Sequence, residues 1–305
     1  MRKLIVLAIV GFFAQLIDGA LGMAYGVTSS SLMLAAGLAP AAASASVHLA
    51  EIGTTLASGA SHWRFGNVDW KIVLRLGVPG AIGAFAGATF LSGLSSDAAK
   101  TWMAGILLGL GVYVLLRFTF GSLKTPDGKT SLRARFLSPL GLIAGFIDAT
   151  GGGGWGPVAT PTLLVSGKVE PRKVIGSVDT SEFLVAIAAS VGFFIGIGNE
   201  GVKLGYVLAL LAGGLLAAPI AAYLVRVIPP QLLGSLVGGF IVLTNSRTIL
   251  NAYDVTGPAA ATVYVSITVL WAAAIAWSVK RYRAAKAVEA GEAASTTAAG
   301  AVAPA

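Results

Sequence analysis

The sequence has no cysteine, and charged side chains make up only 11% of its 305 residues. Without cysteine there is neither a disulfide framework nor a thiolate metal site, and the compartment stays undetermined. So little charge, set against 56% hydrophobic residues and 40 glycines, excludes an ordinary soluble domain and indicates a polytopic membrane protein. The formal net charge is +8. Its Lys and Arg sit in short clusters between apolar runs, with no basic stripe or aromatic motif of a nucleic-acid binder, and membrane orientation explains them better. The start of the chain has the basic head, apolar core and small residues of a signal peptide. It is read as retained, because an internal repeat uses positions inside it.

Seven runs have about the 20 apolar residues needed to cross roughly 30 Å of hydrocarbon. They lie near 41–61, 70–91, 97–118, 172–197, 203–226, 231–252 and 260–280. Two further apolar regions, 4–38 and 136–166, do not fit. A straight helix over the first would be roughly 52 Å long, while the pieces on either side of its glycines are too short to span. Each region is therefore a re-entrant hairpin of two half-helices or a sharply broken helix. Non-helical backbone is not tolerated against lipid, so the glycines must face protein or a watery cavity.

The chain also repeats itself. LIDGALGMAYG, from Leu16 to Gly26, aligns with FIDATGGGGWG, from Phe146 to Gly156, which matches Asp18 with Asp148, Gly22 with Gly152 and Gly26 with Gly156. After one inserted residue SVHLAE falls on SVDTSE, so His48 corresponds to Asp179 and Glu51 to Glu182. Further on, Val68 meets Val202 and Gly105 meets Gly239. The predicted fold is an all-α polytopic membrane protein with two tandem repeats. Each is a glycine-broken re-entrant or discontinuous helix plus three transmembrane helices, and one extra C-terminal helix follows. The organisation is a first repeat at 1–120, a basic cytoplasmic linker at 121–135, a second repeat at 136–258, the extra helix at 259–283 and a disordered tail at 284–305. The tail is rich in alanine and lacks the bulk to pack.

The basic loops are 62–71, 117–135, 168–173 and the flank holding Lys280, Arg281, Arg283 and Lys286. They share one side only if 136–166 enters and leaves by the same face. A hairpin plus three spans is an odd number of crossings, so the halves are expected to be inverted, with a cytoplasmic C-terminus. The cost is an N-terminus on the outside bearing Arg2 and Lys3.

Inverted repeats with two broken helices are an architecture of secondary transporters. The second half of each broken element starts just after its glycines, where unpaired N–H groups carry a partial positive charge of about half a unit. Gly151, Gly152, Gly153, Gly154, Trp155, Gly156 and Thr160 in one copy are the candidate substrate-binding residues, with Gly22, Gly26, Thr28, Ser29 and Ser30 in the other. Successive glycine amides can hold an anion. The bland alternative is close helix packing by small residues. Trp155, inside the break, either lines the pathway or packs.

Carboxylates follow. Glu51 and Glu182 lie well inside spans, where an ionised acid costs at least a few kcal/mol. Ser44, His48, Glu51 and Thr55 form one polar stripe at spacings of four, three and four. Asp18, His48, Glu51, Asp148, Asp179 and Glu182 are the candidates for proton coupling or gating. Asp18 and Asp148 can instead cap the broken ends, and His48 can pair with Glu51 across a turn. Arg247 either helps bind an anion or anchors a helix end. No catalytic residue, cofactor or metal is expected, and the chain reads as a transporter rather than an enzyme. A cation transporter or channel using the same acids is the rival reading.

At these residues a resemblance is plain. GLIAGFIDATGGGGWGPVATPTLL, from Gly141 to Leu164, its fainter copy GFFAQLIDGALGMAYGVTSSSLML, from Gly11 to Leu34, and the duplicated layout are similar to the sulfite exporter TauE/SafE family of bacterial membrane transporters. The family is also called the toluene sulfonate uptake permease family, and the similarity spans roughly residues 4 to 280. It implies transport of small sulfur-containing anions, such as sulfite or organosulfonates, across the inner membrane with proton or potential coupling. The implied partners are a small anion, protons and the bilayer, with an oligomer open. The first copy departs from the pattern, with Met23, Ala24 and Tyr25 where the second has Gly153, Gly154 and Trp155. The second is therefore the better expected anion cradle.

Overall fold

A computed structural model describes residues 2–21, 23–121, 132–166, 168–202, 204–224 and 230–301. Gly22 lies outside the described residues, as does most of the linker expected at 121–135. The described residues form eleven helices: α1 (Arg2–Leu21), α2 (Tyr25–Ala35), α3 (Pro40–Arg64), α4 (Trp70–Gly93), α5 (Ser96–Phe120), α6 (Ala134–Gly151), α7 (Trp155–Val165), α8 (Pro171–Gly201), α9 (Leu204–Leu224), α10 (Pro230–Ala252) and α11 (Gly257–Ala301). Among them α4, α5, α8, α10 and the first part of α11 are long and apolar enough to cross a membrane. α3, which carries the polar stripe, is not one of these five.

Local chemistry accounts for several ends. Asp69 caps α4 by accepting the Lys71 N–H at 2.9 Å, and Ser95 caps α5 through the Ala98 N–H. α8 bends where Gly198 leaves helical geometry with φ 66°. α11 continues as helix through 284–301, where the sequence reading expects a disordered tail. Alanine is the strongest helix former, so a segment can be locally helical without a core of its own.

The breaks fall where they were expected, but the pieces are unequal. α1 has 20 residues and α6 has 18, so each reaches close to 30 Å at about 1.5 Å per residue. α2 and α7 have 11 residues each and reach about half as far. Each element is therefore a nearly full-length helix followed by a short one. α1 is long because its helix takes in the basic Arg2 and Lys3 at its start.

Packing between elements is reciprocal. α1 lies along α9, α6 along α4, α3 along α8 and α5 along α10. The α4–α6 contact is close because Gly83 and Gly87 of α4 sit on the backbone of Leu142 and Phe146, while Gly141 and Gly145 of α6 sit on that of Leu76 and Gly80. Gly11 and Gly213 do the same between α1 and α9. In lipid, where the hydrophobic effect cannot press helices together, such small-residue contacts supply the van der Waals adhesion. Two apolar cores result: one joins α4, α6, α7 and α8 around Trp155 and Phe193, and the other joins α1, α2, α3, α5, α9 and α10 around Met33 and Leu107.

Candidate functional site

The two breaks are closed off in the same way. Asp18 Oδ1 accepts the N–H of Tyr25 at 3.1 Å, and Asp148 Oδ1 accepts the N–H of Trp155 at 3.0 Å. In each case a carboxylate near the end of the long helix caps the first residue of the short one, seven positions on, and offsets the positive end of that helix. The Gly153 N–H also turns back to the Asp148 carbonyl at 2.9 Å. Gly152, Gly153 and Gly154 have φ of 69°, 147° and 159°, which glycine supplies without strain. In the first copy Ala24 holds φ 102° instead. Of the two sequence readings of the aspartates, capping is the one seen in the geometry. In the first turns of the short helices the Thr28 N–H donates to the Ala24 carbonyl at 3.1 Å and the Val158 N–H to the Gly154 carbonyl at 2.9 Å.

The polar stripe on α3 runs past both breaks. His48 Nδ1 lies 2.8 Å from the Ser44 carbonyl and Nε2 lies 3.1 Å from Asp148 Oδ2. Nδ1 must donate to the carbonyl, so a proton between Nε2 and Asp148 has to be held on one side or the other. His48 therefore pairs with Asp148 of α6 and not with Glu51. Ser44 donates to the Ala149 carbonyl at 2.7 Å, a second link from α3 to the end of α6. Glu51 is 2% exposed, and neither of its carboxyl oxygens has a partner. Its Oε1 lies beside Gly26, 2.9 Å from where a Cβ would stand. Asp179 accepts the Ser58 hydroxyl at 2.7 Å.

Both breaks line one small cavity of about 20 Å³. Its walls take Tyr25, Gly26 and Val27 from α2, Gly154, Gly156 and Pro157 from the second break, and the carboxyls of Asp18, Asp179 and Glu182. None of the lining residues is Lys or Arg, and Arg247 is exposed on α10. Among the described residues no group of three His, Asp or Glu is arranged to hold a metal ion. The six titratable candidates form one electrostatic neighbourhood, in which Glu51 lies in the field of His48, Asp148 and Asp18, and Glu182 in that of Glu51, Asp148, Asp179 and Asp18.

The remaining candidates separate. Gly152 accepts a hydrogen bond from the Ser30 hydroxyl through its carbonyl, which ties the two breaks together. The hydroxyls of Thr28 and Ser29 are buried without partners, and Gly151 and Thr160 are buried. Trp155 does not line the cavity. Its indole N–H donates to the Val178 carbonyl at 3.0 Å, and its ring lies against Gly80 of α4. Two residues were missed by sequence reasoning. Tyr25 lines the cavity with an unpartnered, buried hydroxyl, and its alignment with Trp155 was a usable signal. Asn245, 1% exposed on α10, donates to Ser31 at 2.9 Å; the polar run Thr244, Asn245 and Ser246 inside an apolar span marked it.

Comparison with known proteins adds three findings. The model of the family described as sulfite exporter TauE/SafE matches residues 7–248. The chain is 55% identical over 276 residues to the probable membrane transporter protein YtnM of Bacillus subtilis (strain 168), which covers 90% of this chain and 92% of that one. It is 30% identical over 185 residues to the probable membrane transporter protein YdhB of the same organism, covering 60% of this chain and 74% of that one. No solved structure matches.

Proposed function

The chain belongs to the sulfite exporter TauE/SafE family and is a multi-pass membrane transporter, not an enzyme, and we propose that it exports small sulfur-containing anions such as sulfite or organosulfonates. Transport proceeds by alternating access between two inverted halves in the inner membrane of a prokaryote, with the C-terminus in the cytoplasm and with proton or potential coupling.

The observation that carries this reading is the meeting of both breaks at one cavity lined by the starts of α2 and α7, where the positive end of a helix favours an anion. The matched Asp18 and Asp148 caps and the reciprocal docking of α1 on α9 and α6 on α4 support a duplicated architecture, and the distribution of basic loops favours its inversion. A space of about 20 Å³ admits a single water. The geometry thus corresponds to a closed state, in which Ser30 and the Gly26–Gly153 contact hold the breaks together, and an anion enters when they part. The acidic lining favours one rival, a cation transporter or channel.

Reconstituted protein decides between them. Sulfite, sulfate, organosulfonates and carboxylates are assayed for flux in proteoliposomes under imposed pH and voltage gradients, with divalent cations as competitors. Saturable flux of sulfite or a sulfonate, untouched by the cations, is the expected result. Cation flux with no sulfur-anion flux would overturn the proposal.

A further inference from the structure

The two halves of the site match in their caps and differ in what faces them. The residue aligned with His48 is Asp179, and the residue aligned with Asp148 is Asp18. At one break a base meets an acid, since His48 reaches Asp148 at 3.1 Å with both side chains buried. At the other break an acid meets an acid, since Asp18 and Asp179 line the same cavity and act on each other electrostatically. One Asp18 oxygen is used by the Tyr25 N–H and one Asp179 oxygen by the Ser58 hydroxyl. Glu182 lines the same cavity.

A second observation points to a ligand. Glu51, 2% exposed, leaves both carboxyl oxygens unpartnered next to Gly26 in the cavity wall. A buried carboxylate with no donor is far more costly than a neutral acid. α9, which packs on α1 and α3, brings no acidic or basic side chain, and the basic residues of α4 and α8 stand in their first two turns. With His48 committed to Asp148, no base remains for this corner. Asp18 and Asp179 bring two acids into one wall with no base beside them, and a proton bound there lowers the cost of burying their charge.

Resting on the sulfur-anion reading, we propose that a proton held at the Asp18–Asp179 corner travels with the anion in the same direction, while His48–Asp148 keeps its proton throughout the cycle as a latch. A negatively charged substrate enters the cavity between the breaks only when this proton has removed one of the corner's two negative charges, so loading the proton admits the anion and losing the anion frees the proton. The consequence has a sign. Movement of a singly charged anion is electroneutral, and an acidic exterior opposes export and favours entry.

The test uses full-length protein in proteoliposomes with a trapped pH dye and potassium–valinomycin to clamp the voltage. The probe is an aliphatic sulfonate, which stays ionised and carries no proton of its own. A sulfonate gradient imposed without a pH gradient should move protons in the direction of the sulfonate. Asp179→Asn, whose amide oxygen still accepts from Ser58, should lose this proton movement, so that the sulfonate it carries moves without a proton. Asp148→Asn, which keeps the Trp155 cap, should retain the wild-type ratio of protons to sulfonate. Protons moving against the sulfonate, or an unchanged ratio in Asp179→Asn, would overturn the proposal. A substrate-free measurement separates the two readings: infrared difference spectra across a pH jump should contain a carboxylic-acid carbonyl band that Asp179→Asn removes. If wild-type protein moves neither sulfonate nor sulfite, the sulfur-anion reading fails, and with it co-transport; the infrared band then decides the proton site alone.

Discussion

Gly26→Ala probes the closure of the site most directly. A methyl group at Gly26 would stand 2.6 Å from the Gly153 Cα and 2.9 Å from Glu51 Oε1. Ordinary carbon contacts lie at about 3.5–4.0 Å, so the two breaks would have to separate by roughly an ångström. The obstruction on the Gly153 side is backbone, which cannot rotate away. Overpacking of this kind costs about 1–3 kcal/mol, more than the ~0.5–1 kcal/mol that alanine gains over glycine within a helix. The strain falls on the closed state and is relieved when the breaks part. At about 1.4 kcal/mol per factor of ten, the ratio of closed to open protein drops roughly five- to hundredfold, and the flux changes with it. The assays are thermal melting in detergent and initial flux in proteoliposomes. Gly109→Ala on α5, where a Cβ meets nothing within 4 Å, is the control and should melt no lower than wild type. A Gly26→Ala protein that melts and transports like wild type would refute the account of closure.

Two further substitutions test the break and its tryptophan. Ala24 holds φ 102° as the residue before α2, a conformation costing about 1–2 kcal/mol for a side-chain-bearing residue; Ala24→Gly should melt at or above the wild-type temperature and Ala24→Val well below it, and the reverse order would show the backbone there to be unstrained. Trp155 is read as an anchor, so Trp155→Ala should lose about 3–5 kcal/mol of stability. Trp155→Phe should lose only the ~0.5–1.5 kcal/mol of one hydrogen bond, because Ser181 still donates to the Val178 carbonyl at 2.7 Å. The Phe variant should keep the wild-type KM, and a KM raised tenfold would make the ring a substrate contact.

The helices were legible because each is written in local terms. Runs of about 20 apolar residues, Gly152 to Gly154 and the Asp-plus-seven spacing are patterns within one stretch of chain, and the structure puts α3 to α5 and α8 to α10 within a few residues of the expected bounds. The stripe of Ser44, His48, Glu51 and Thr55 likewise follows from helical periodicity. Partners across the fold were not legible. Sequence offered Glu51 as the partner of His48 because the two are three residues apart, whereas the structure gives His48 to Asp148, 100 residues away. For Trp155 the sequence left lining the pathway and packing both open, because of its place in the break. Gly80, the residue that makes room for its ring, sits on another helix and has no local mark. The lengths of α1 and α6 escaped because each helix begins before the apolar run, at Arg2 and at Ala134.

The docking of α1 on α9 also sets a schedule for making the protein. Gly11 needs the backbone at Leu210 for its contact, and a ribosome adding about 5–20 residues per second takes roughly ten seconds or more to supply it. During that interval α1, with its small-residue face uncovered, waits in the bilayer for a helix not yet synthesised. α6 has no such wait, because α4 is already in place when it emerges. The first half of the chain is thus an assembly intermediate with an open seam, and a fragment ending near residue 120 should be a substrate for membrane quality control and not a half-transporter.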